Sequence, residues 1–405
     1  MLEGHSIVCF AGEDWWYHHP HSKNHIMKRL ARHNRVMFIN SISMGLPSVR
    51  SRDFFTKIRR KLKSYLKFVR RSPEGIWVVT PIVAPFYSSR SARWLNKWLL
   101  ILQLRLLMLL LGMRTPVLWI AIPTAKDVIG KLAESLLIYQ VSDKYDANDM
   151  DHGARKSLIR ELHQQMLSQA DIIYYSGKRL FAEANEFREK SYLLEQAVDF
   201  EHFAAVTREP CPPPAPAIAA ITKPILGYFG AIESWLVDQE LVRYVSRHRP
   251  HWQWVFIGRK MTQTLEIESL PNVHFLGPQN YYQLPNYAAQ FDICVLPWVT
   301  DNEFVNYGSA IKVREYLATG KPVVITPLYE YESLDGLLHI ARSPEHFIEL
   351  IEQALTEKDI DARALRQAAV ANSTWDARVE EVSQLIERML QEKTMQAKAG
   401  LVAPP

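Results

Sequence analysis

Lys312 and Glu315 stand three residues apart in DNEFVNYGSAIKVREYLATGKPVVITP, residues 301–327, and that spacing puts both side chains on one face of a helix. Ser309 is a candidate cap for this helix, Gly320 a candidate stop, and the β-branched run 323–326 suits a buried strand. A helix N-terminus offers free N–H groups and the positive end of the helix dipole, which suits a phosphate. Ile311 lies among those first N–H groups, and Lys312, next to it, adds a full charge. Glu315 can accept two hydroxyl hydrogen bonds, as a ribose would supply. A surface helix with a Lys–Glu pair has the same spacing, so spacing alone leaves both readings open.

A second group of chemically capable residues follows the first apolar run. Trp15, Trp16, Tyr17, His18, His19 and His21 lie together. They could stack on a sugar or serve acid–base chemistry; equally, the tryptophans could anchor a cleft while the histidines face solvent. H-H-x-H is not a helical i, i+4 pair, so a metal site is not expected. Further on, Asp143 and Tyr145 follow the strand-like run LLIYQVSD, residues 136–143. Ligands of open α/β sheets bind beyond the carboxyl ends of the strands. Asp143 is therefore a candidate general base, or else the cap of the next helix. Asp149 and Asp151 form a D-x-D, a match too short to carry weight.

The elements that must position these residues alternate. SIVCF (6–10), a helix ending near His33, and RVMFIN (35–40) begin a βαβ unit and a parallel sheet. Strands are expected at 76–81 and 117–123, with a helix near 125–133. A strand over 136–143, a helix over 156–171 and a strand over 172–177 follow. The proline-rich EPCPPPAP, residues 209–216, reads as a linker. Beyond it come strands at 224–232, ending at Gly230, and at 252–259, ending at Arg259. A turn glycine lets backbone N–H groups approach a ligand. Helices are expected over 345–355 and 362–391, and disorder from 394 to the end. The reading gives four parts: 1–206, a linker 207–222, 223–375, and 376–405.

With 405 residues, 48% hydrophobic and 22% charged, the chain has the composition of about two globular domains. Its three cysteines, Cys9, Cys211 and Cys294, are far apart and odd in number, which argues against a disulfide framework or a zinc site and fits a reducing cytoplasm. No cleavable leader is expected, since residues 1–5 run straight into a short strand.

Net charge is only +5, but its placement is uneven. KIRRKLKSYLKFVRR, residues 57–71, carries eight Lys or Arg, with apolar residues at three- and four-residue steps. This predicts a basic amphipathic helix suited to anionic lipid headgroups. A nucleic-acid face competes, but base-stacking aromatics are sparse, and a plain solvated face has the same pattern. The apolar 98–111 is fourteen residues long and broken by Gln103 and Arg105. A membrane span needs about 20 apolar residues, so this segment reads as a core or interfacial helix.

The 301–327 stretch resembles the nucleotide-sugar-binding segment of GT-B glycosyltransferases of group 1 (family 4-like), whose pattern is S-x-x-K-x-x-E-Y-L-A-x-G-K-P-V-V. Ser309, Lys312, Glu315, Tyr316, Leu317, Ala318, Gly320, Lys321, Pro322, Val323 and Val324 match it. Runs such as 191–203 and 272–298 are similar to the same family. Retaining members place a first Glu eight residues before the Glu at the Glu315 position, where this chain has Tyr307, and an Arg or Lys after the Gly230 turn, where it has Glu233, Ser234 and Trp235.

The resemblance implies two doubly wound Rossmann-like α/β domains facing across a cleft, and transfer from a nucleotide-diphosphate-sugar to a lipid-linked glycan in cell-surface polysaccharide synthesis. It implies a donor site of Gly230, Arg259, Tyr307, Ser309, Ile311, Lys312 and Glu315, and an acceptor side with Trp16, His18, His19 and Tyr145. Asp143 would be the base if the reaction inverts, which the missing acid and basic residue of the retaining pattern favour; if it retains configuration, no side-chain base is required and the histidine cluster would contact the sugar. No metal or other cofactor would be needed. The basic and apolar region 57–111 would meet an anionic membrane surface at the inner face of the plasma membrane, with no nucleic-acid partner. An NDP-sugar epimerase of the same fold, or a non-catalytic nucleotide-sugar-binding scaffold, remains the alternative.

Overall fold

The computed structural model of the protein describes residues 1–16, 20–41, 68–83, 90–144, 154–260, 266–357 and 360–402. The chain divides into two compact units. One comprises Met1–Ser176, Leu180–Leu194 and Asp376–Pro405; the other comprises Gly177–Arg179 and Glu195–Trp375.

The first unit is built on an eight-stranded sheet. Its strands are β1 (Ser6–Phe10), β2 (Arg35–Ile39), β3 (Val69–Arg71), β4 (Trp77–Val79), β5 (Val117–Ile120), β6 (Leu136–Val141), β7 (Ile172–Tyr175) and β8 (Ser191–Leu193). Their order is β3-β4-β2-β1-β5-β6-β7-β8, and only the β3–β4 pair is antiparallel. Parallel strands covered on both faces need apolar residues at every position, and β1, β5, β6 and β7 are buried throughout. The crossover helices are α1 (Ser22–Leu30), α2 (Arg90–Leu110) and α3 (Ala154–Gln169).

Two local expectations change here. The end of the basic stretch, Val69–Arg71, is the edge strand β3 and not helix, because Val69 and Arg71 pair with Val79 and Trp77; residues 57–67 lie outside the described residues. The helix expected near 125–133 is a 3-10 turn over Pro123–Val128. Pro123 opens it, and Gly130 and Ala133 take positive φ just after, so no longer helix can form.

The second unit holds a six-stranded, all-parallel sheet in the order β11-β10-β9-β12-β13-β14. Its strands are β9 (Ile225–Phe229), β10 (Gln253–Ile257), β11 (Val273–Gly277), β12 (Ile293–Leu296), β13 (Val323–Ile325) and β14 (His339–Ile340). Its principal helices are α4 (Phe200–Ala204), α5 (Gln239–His248), α6 (Leu284–Ala288), α7 (Glu303–Asn306), α8 (Ile311–Thr319), α9 (Pro344–Thr356) and α10 (Ile360–Ala371). The unit begins at Glu195 rather than after residue 206. Val198 bridges Thr374, and Val198, Phe203, Val206 and Ile218 sit in this unit's core. The proline-rich stretch therefore lies within the second unit's span and does not separate the two.

The last helix, α11 (Trp375–Val402), changes unit after its first residue. Arg29 and Arg32 both bind Asp376, at 2.8 and 2.7 Å, and Lys393 binds Asp171 at 2.6 Å. Exposed pairs of this kind contribute at most about 1 kcal/mol each. The burial of Val379, Val382 and Ile386 contributes more, at roughly 1.5–3 kcal/mol per side chain. The tail expected to be disordered is helical to Val402, because residues 391–399 are mostly strong helix formers.

Gly227 lies in the central strand β9, and a Cβ there would meet the Phe291 ring at 2.1 Å. Gly227→Ala is therefore expected to overpack the core and lower the stability of the second unit by about 1–3 kcal/mol, measured by urea unfolding; an unchanged midpoint would show that the ring has room to move.

Candidate functional site

In the second unit the carboxyl ends of β9 and β10 meet the start of α8. Gly230 follows β9 at φ 140° and Gly258 follows β10 at φ 154°. A Cβ on Gly258 would sit 1.8 Å from the Gly230 carbonyl oxygen, so the two turns touch backbone to backbone. A Cβ on Gly230 would lie 2.2 Å from Lys312 Nζ. The Lys312 ammonium thus occupies the space a side chain would take at that turn.

Lys312 is held there by aromatic groups. It donates to the Tyr228 hydroxyl at 3.0 Å and lies 4.4 Å from the Tyr228 ring centroid and 4.9 Å from that of Trp298. Tyr228 in turn donates to the Ala231 carbonyl at 2.7 Å. No carboxylate among the described residues lies within salt-bridge distance of Lys312. A cation stacked on rings and left without a counter-ion can meet an incoming anion, and the first N–H groups of α8, including those of Ile311 and Lys312, have no intrahelical acceptor.

Tyr316 explains how α8 is placed. Its hydroxyl accepts the Phe229 N–H at 3.0 Å, and its ring meets Phe229 edge-on at 4.7 Å. Gly320 ends the helix in the left-handed conformation at φ 74°, as the sequence predicts. Lys321 does not reach the site: it donates to the Ala289 carbonyl at 3.0 Å and to that of Phe291.

Ser309 does not cap α8. The cap position is Ala310, which has no side-chain cap, and Ser309 Oγ donates instead to Glu330 at 2.9 Å. Glu330 also accepts the Lys178 N–H at 2.8 Å. Ala310 is pinned by Tyr331, whose hydroxyl accepts its N–H at 2.6 Å and donates to its carbonyl at 3.1 Å. Residues 330–331 therefore fix the corner that opens α8. Tyr307, where the resembled retaining pattern has an acid, is buried beneath the Arg179 guanidinium, 4.2 Å from its ring centroid. Arg259 is half-buried at the end of β10 and makes no side-chain hydrogen bond or ion pair among the described residues.

Glu315 lies inside α8's packing face and is only 6% exposed. Burial pushes its carboxyl up to about 8; Lys312 pulls it down, Asp199 pushes it further up and the nearby Tyr281 opposes that. The Tyr281 hydroxyl donates to Asp199 at 3.0 Å. Sequence reading missed Tyr228, Trp298 and this Tyr281–Asp199 link, since no spacing connects residues 82 positions apart.

The first unit has its own charged group at the carboxyl ends of β1 and β6. Lys23, in α1, pairs with Glu13 at 2.7 Å, and both side chains are largely buried. His21 Nδ1 lies 4.0 Å from Glu13. Burial pushes the Asp143 carboxyl above the usual range; Lys23 draws it back, Glu13 raises it again and His21 lowers it. Burial disfavours the Lys23 charge, but Glu13 and Asp143 outweigh that and hold Lys23 above the ordinary lysine range. A carboxylate raised in this way is a stronger base than an exposed one. Trp16 sits nearby under the Arg70 guanidinium, 4.4 Å from its ring centroid. Lys23 was missed because a lysine on an amphipathic helix reads as solvated. His18, His19 and Tyr145, together with Asp149 and Asp151, lie outside the described residues.

Comparison with known proteins follows the same division. Residues 223–357 match the family "Glycosyl transferases group 1". A relative 25% identical over 282 residues, covering 64% of this chain and 68% of its own length, is the putative teichuronic acid biosynthesis glycosyltransferase TuaH of Bacillus subtilis (strain 168). Among solved structures, sucrose-phosphate synthase from Thermosynechococcus elongatus superposes with a TM-score of 0.68 at 14% identity, covering 96% of this chain and all of that one. Anabaena HepE in complex with UDP and glucose gives 0.67 at 12%, covering 95% and 100%. The fold is that of the GT-B glycosyltransferases, and the matches bear out the group 1 resemblance.

The shifted Glu315 makes stability depend on pH. Its folded value of about 8 stands above the ordinary 4.5, so the folded chain binds the extra proton and that contribution is lost as pH rises toward 8. Glu315→Gln cannot ionise. Its melting temperature relative to the parent is expected to climb between about pH 5 and pH 8, by the equivalent of a few kcal/mol; a constant difference across that range would show that Glu315 is ionised throughout.

Proposed function

We propose that this group 1 glycosyltransferase moves a sugar from a nucleotide-diphosphate-sugar to a lipid-linked saccharide in cell-surface polysaccharide synthesis. The observation that carries the reading is Lys312, seated against the Gly230 turn with no carboxylate partner among the described residues. Lys312 and the first N–H groups of α8 stabilise the leaving diphosphate, which makes a metal unnecessary. Arg259 gives a second cationic contact to phosphate or base, Glu315 holds the ribose, and Tyr307 lines the sugar end. The UDP seen in the HepE structure supports a nucleotide ligand, and the name of the Bacillus relative supports a polysaccharide product.

Asp143 is the base in this reading. It takes the proton of the acceptor hydroxyl as that oxygen attacks the anomeric carbon, and the nucleoside diphosphate leaves from the opposite face, with inversion. Its raised carboxyl and its place beyond β6 fit that task. Trp16 lines the acceptor side.

The lipid-linked acceptor is supported by α2. Trp94, Leu102 and Leu109 are 64, 66 and 78% exposed, and Trp98, Leu99, Leu106 and Leu110 share their side of the helix. Leu100, Leu104 and Leu107, on the opposite side, are buried. Such a helix is apolar all round, with one face left for an interface. No helix among the described residues is long and apolar enough to cross a membrane, so α2 lies on the inner face of the plasma membrane in this reading. That exposed face favours a membrane-borne acceptor over a soluble NDP-sugar epimerase or a scaffold.

Lys312→Ala is expected to lower kcat/KM for transfer to extracted lipid acceptors by about 100- to 1000-fold. Asp143→Asn should lower kcat by about 100- to 10,000-fold while leaving nucleotide affinity intact. Near-parental turnover in either variant rejects the role given to that residue. In vesicle flotation the parent should float with anionic vesicles, and Trp94→Ser combined with Leu102→Ser and Leu109→Ser should stay in the load; equal recovery of the two proteins rejects α2 as the membrane face.

A further inference from the structure

In the first unit, each Lys and Arg between residues 22 and 33 has an acid as partner. Lys23 pairs with Glu13 at 2.7 Å, Lys28 with Glu74 at 2.8 Å, and Arg29 and Arg32 with Asp376. Lys28 also lies 5.5 Å from the Trp15 ring centroid. Arg70 of β3 is the opposite case. Its guanidinium lies 4.4 Å from the Trp16 ring centroid. Its Nε and Nη2 are buried and make no hydrogen bond, and no carboxylate among the described residues lies within salt-bridge distance. Trp16 Nε1 is buried without an acceptor as well. In a guanidinium the Nε–H and one Nη2–H are parallel, the fork that takes two oxygens of one phosphate or carboxylate. Buried donors without an acceptor carry a desolvation cost, which the ring face offsets only in part.

The ring beneath Arg70 is held in place from several strands. Trp16 N–H donates to Asp14 at 2.9 Å, and Trp15 N–H donates to Asn40 Oδ1 at 3.0 Å. Asn40, just past β2, is buried and donates to Thr80 Oγ1, just past β4, at 3.1 Å. The Trp15 ring meets Phe38 of β2 edge-on at 4.8 Å. Arg70 itself pairs with Val78 in the antiparallel β3–β4 ladder. Its neighbour Arg71 points to the other face of the strand and lies 5.4 Å from the Trp77 ring centroid. The fork is thus built on an ordered platform beyond the carboxyl end of β1.

We propose that Arg70, seated on Trp16, is a binding residue for a phosphate ester, the one that joins the saccharide of the acceptor to its lipid. The proposal deepens the reading of the acceptor as lipid-linked and rests on it. In the sheet order, β3 stands five strand steps from β6, roughly 24 Å at about 4.8 Å per step. An anion held at β3 is therefore not on the sugar whose hydroxyl Asp143 activates, but on a remote part of the acceptor, whose binding energy helps to place that hydroxyl. The exposed apolar face of α2 belongs to the same unit and suits the lipid beyond the phosphate. Arg70 as a whole is only half-buried, so a small turn of the guanidinium on the ring presents the fork to the ester. No bond forms or breaks at this subsite.

The test is calorimetric titration of the full chain in neutral detergent micelles, with saturating UDP, using geranyl diphosphate and geraniol as probes. The parent should bind the diphosphate far more tightly than the alcohol. Arg70→Met should lose about 10- to 100-fold in affinity for the diphosphate. Arg70→Lys, which keeps the charge but not the fork, should regain only part of that. Melting separates this from a structural role. Arg70→Met removes a buried cation that has no counter-ion, so without ligand it should melt at or above the parent's temperature, and geranyl diphosphate should raise the melting temperature of the parent and not of the variant. A parent that does not bind geranyl diphosphate or binds geraniol equally well, an Arg70→Met variant with parental diphosphate affinity, or one that melts below the parent overturns the proposal. A membrane headgroup is the other source of phosphate: if Arg70→Met no longer floats with phosphatidylglycerol vesicles but keeps its affinity for geranyl diphosphate, the fork serves the membrane and the proposal falls. The acceptor reading fails separately, if the parent transfers no sugar to extracted lipid acceptors yet binds geranyl diphosphate through Arg70; the phosphate subsite then stands without it.

Discussion

The hydrogen bond from the Phe229 N–H to the Tyr316 hydroxyl, 3.0 Å long and buried, sets where α8 stands against β9. The geometry beyond the carboxyl ends of β9 and β10 depends on that placement. It brings Lys312 to the space left open by Gly230 and puts the first N–H groups of α8 beside the β9 turn. Gly258 is bound by the same constraint, since any side chain there would enter the Gly230 carbonyl. The backbone of two strands and the start of one helix can approach this closely only because both turns lack side chains.

Electrostatics divides the charged side chains by burial. Lys312 keeps its cation over the faces of Tyr228 and Trp298, where ring quadrupoles stabilise it without neutralising it. At Glu315, one turn on, burial and Asp199 outweigh Lys312 and favour the neutral acid. In the first unit Lys23 and Glu13 form a close buried pair, and Asp143 is raised between a burial cost and an incomplete compensation from Lys23. Each of these groups is governed by what surrounds it in space, and charge counts along the chain give no sign of it.

Much of the fold was legible because its rules are local. Apolar runs of four to six residues became β1, β5, β6, β7, β9 and β12, and Gly320 ended α8 in the left-handed conformation that glycine permits. The failures are local rules overridden by their surroundings. Ser309 has the right type and position for a cap, yet Glu330 competes for its hydroxyl and wins. The basic repeat that ends at Arg71 reads as helix, but Val69–Arg71 pairs with β4. The proline-rich stretch reads as a boundary, but Ile218 is drawn into the second core and the division falls at Glu195.

The sequence by itself determined the alternation of strands and helices, the type of the C-terminal motif and the residues Lys312 and Glu315 that it carries, because periodicity and turn chemistry are properties of neighbouring residues. Only the tertiary structure decided what those residues face. It set Lys312 against the Gly230 turn and buried Glu315 beside Tyr281 and Asp199. It also turned Lys321 to the carbonyls of Ala289 and Phe291 and assembled Glu13, Lys23 and Asp143 beyond β1 and β6. Hydrogen-bond partners and burial are set by chain segments brought together from tens of residues apart, and these decide which charges are neutralised, shifted or left to meet a ligand.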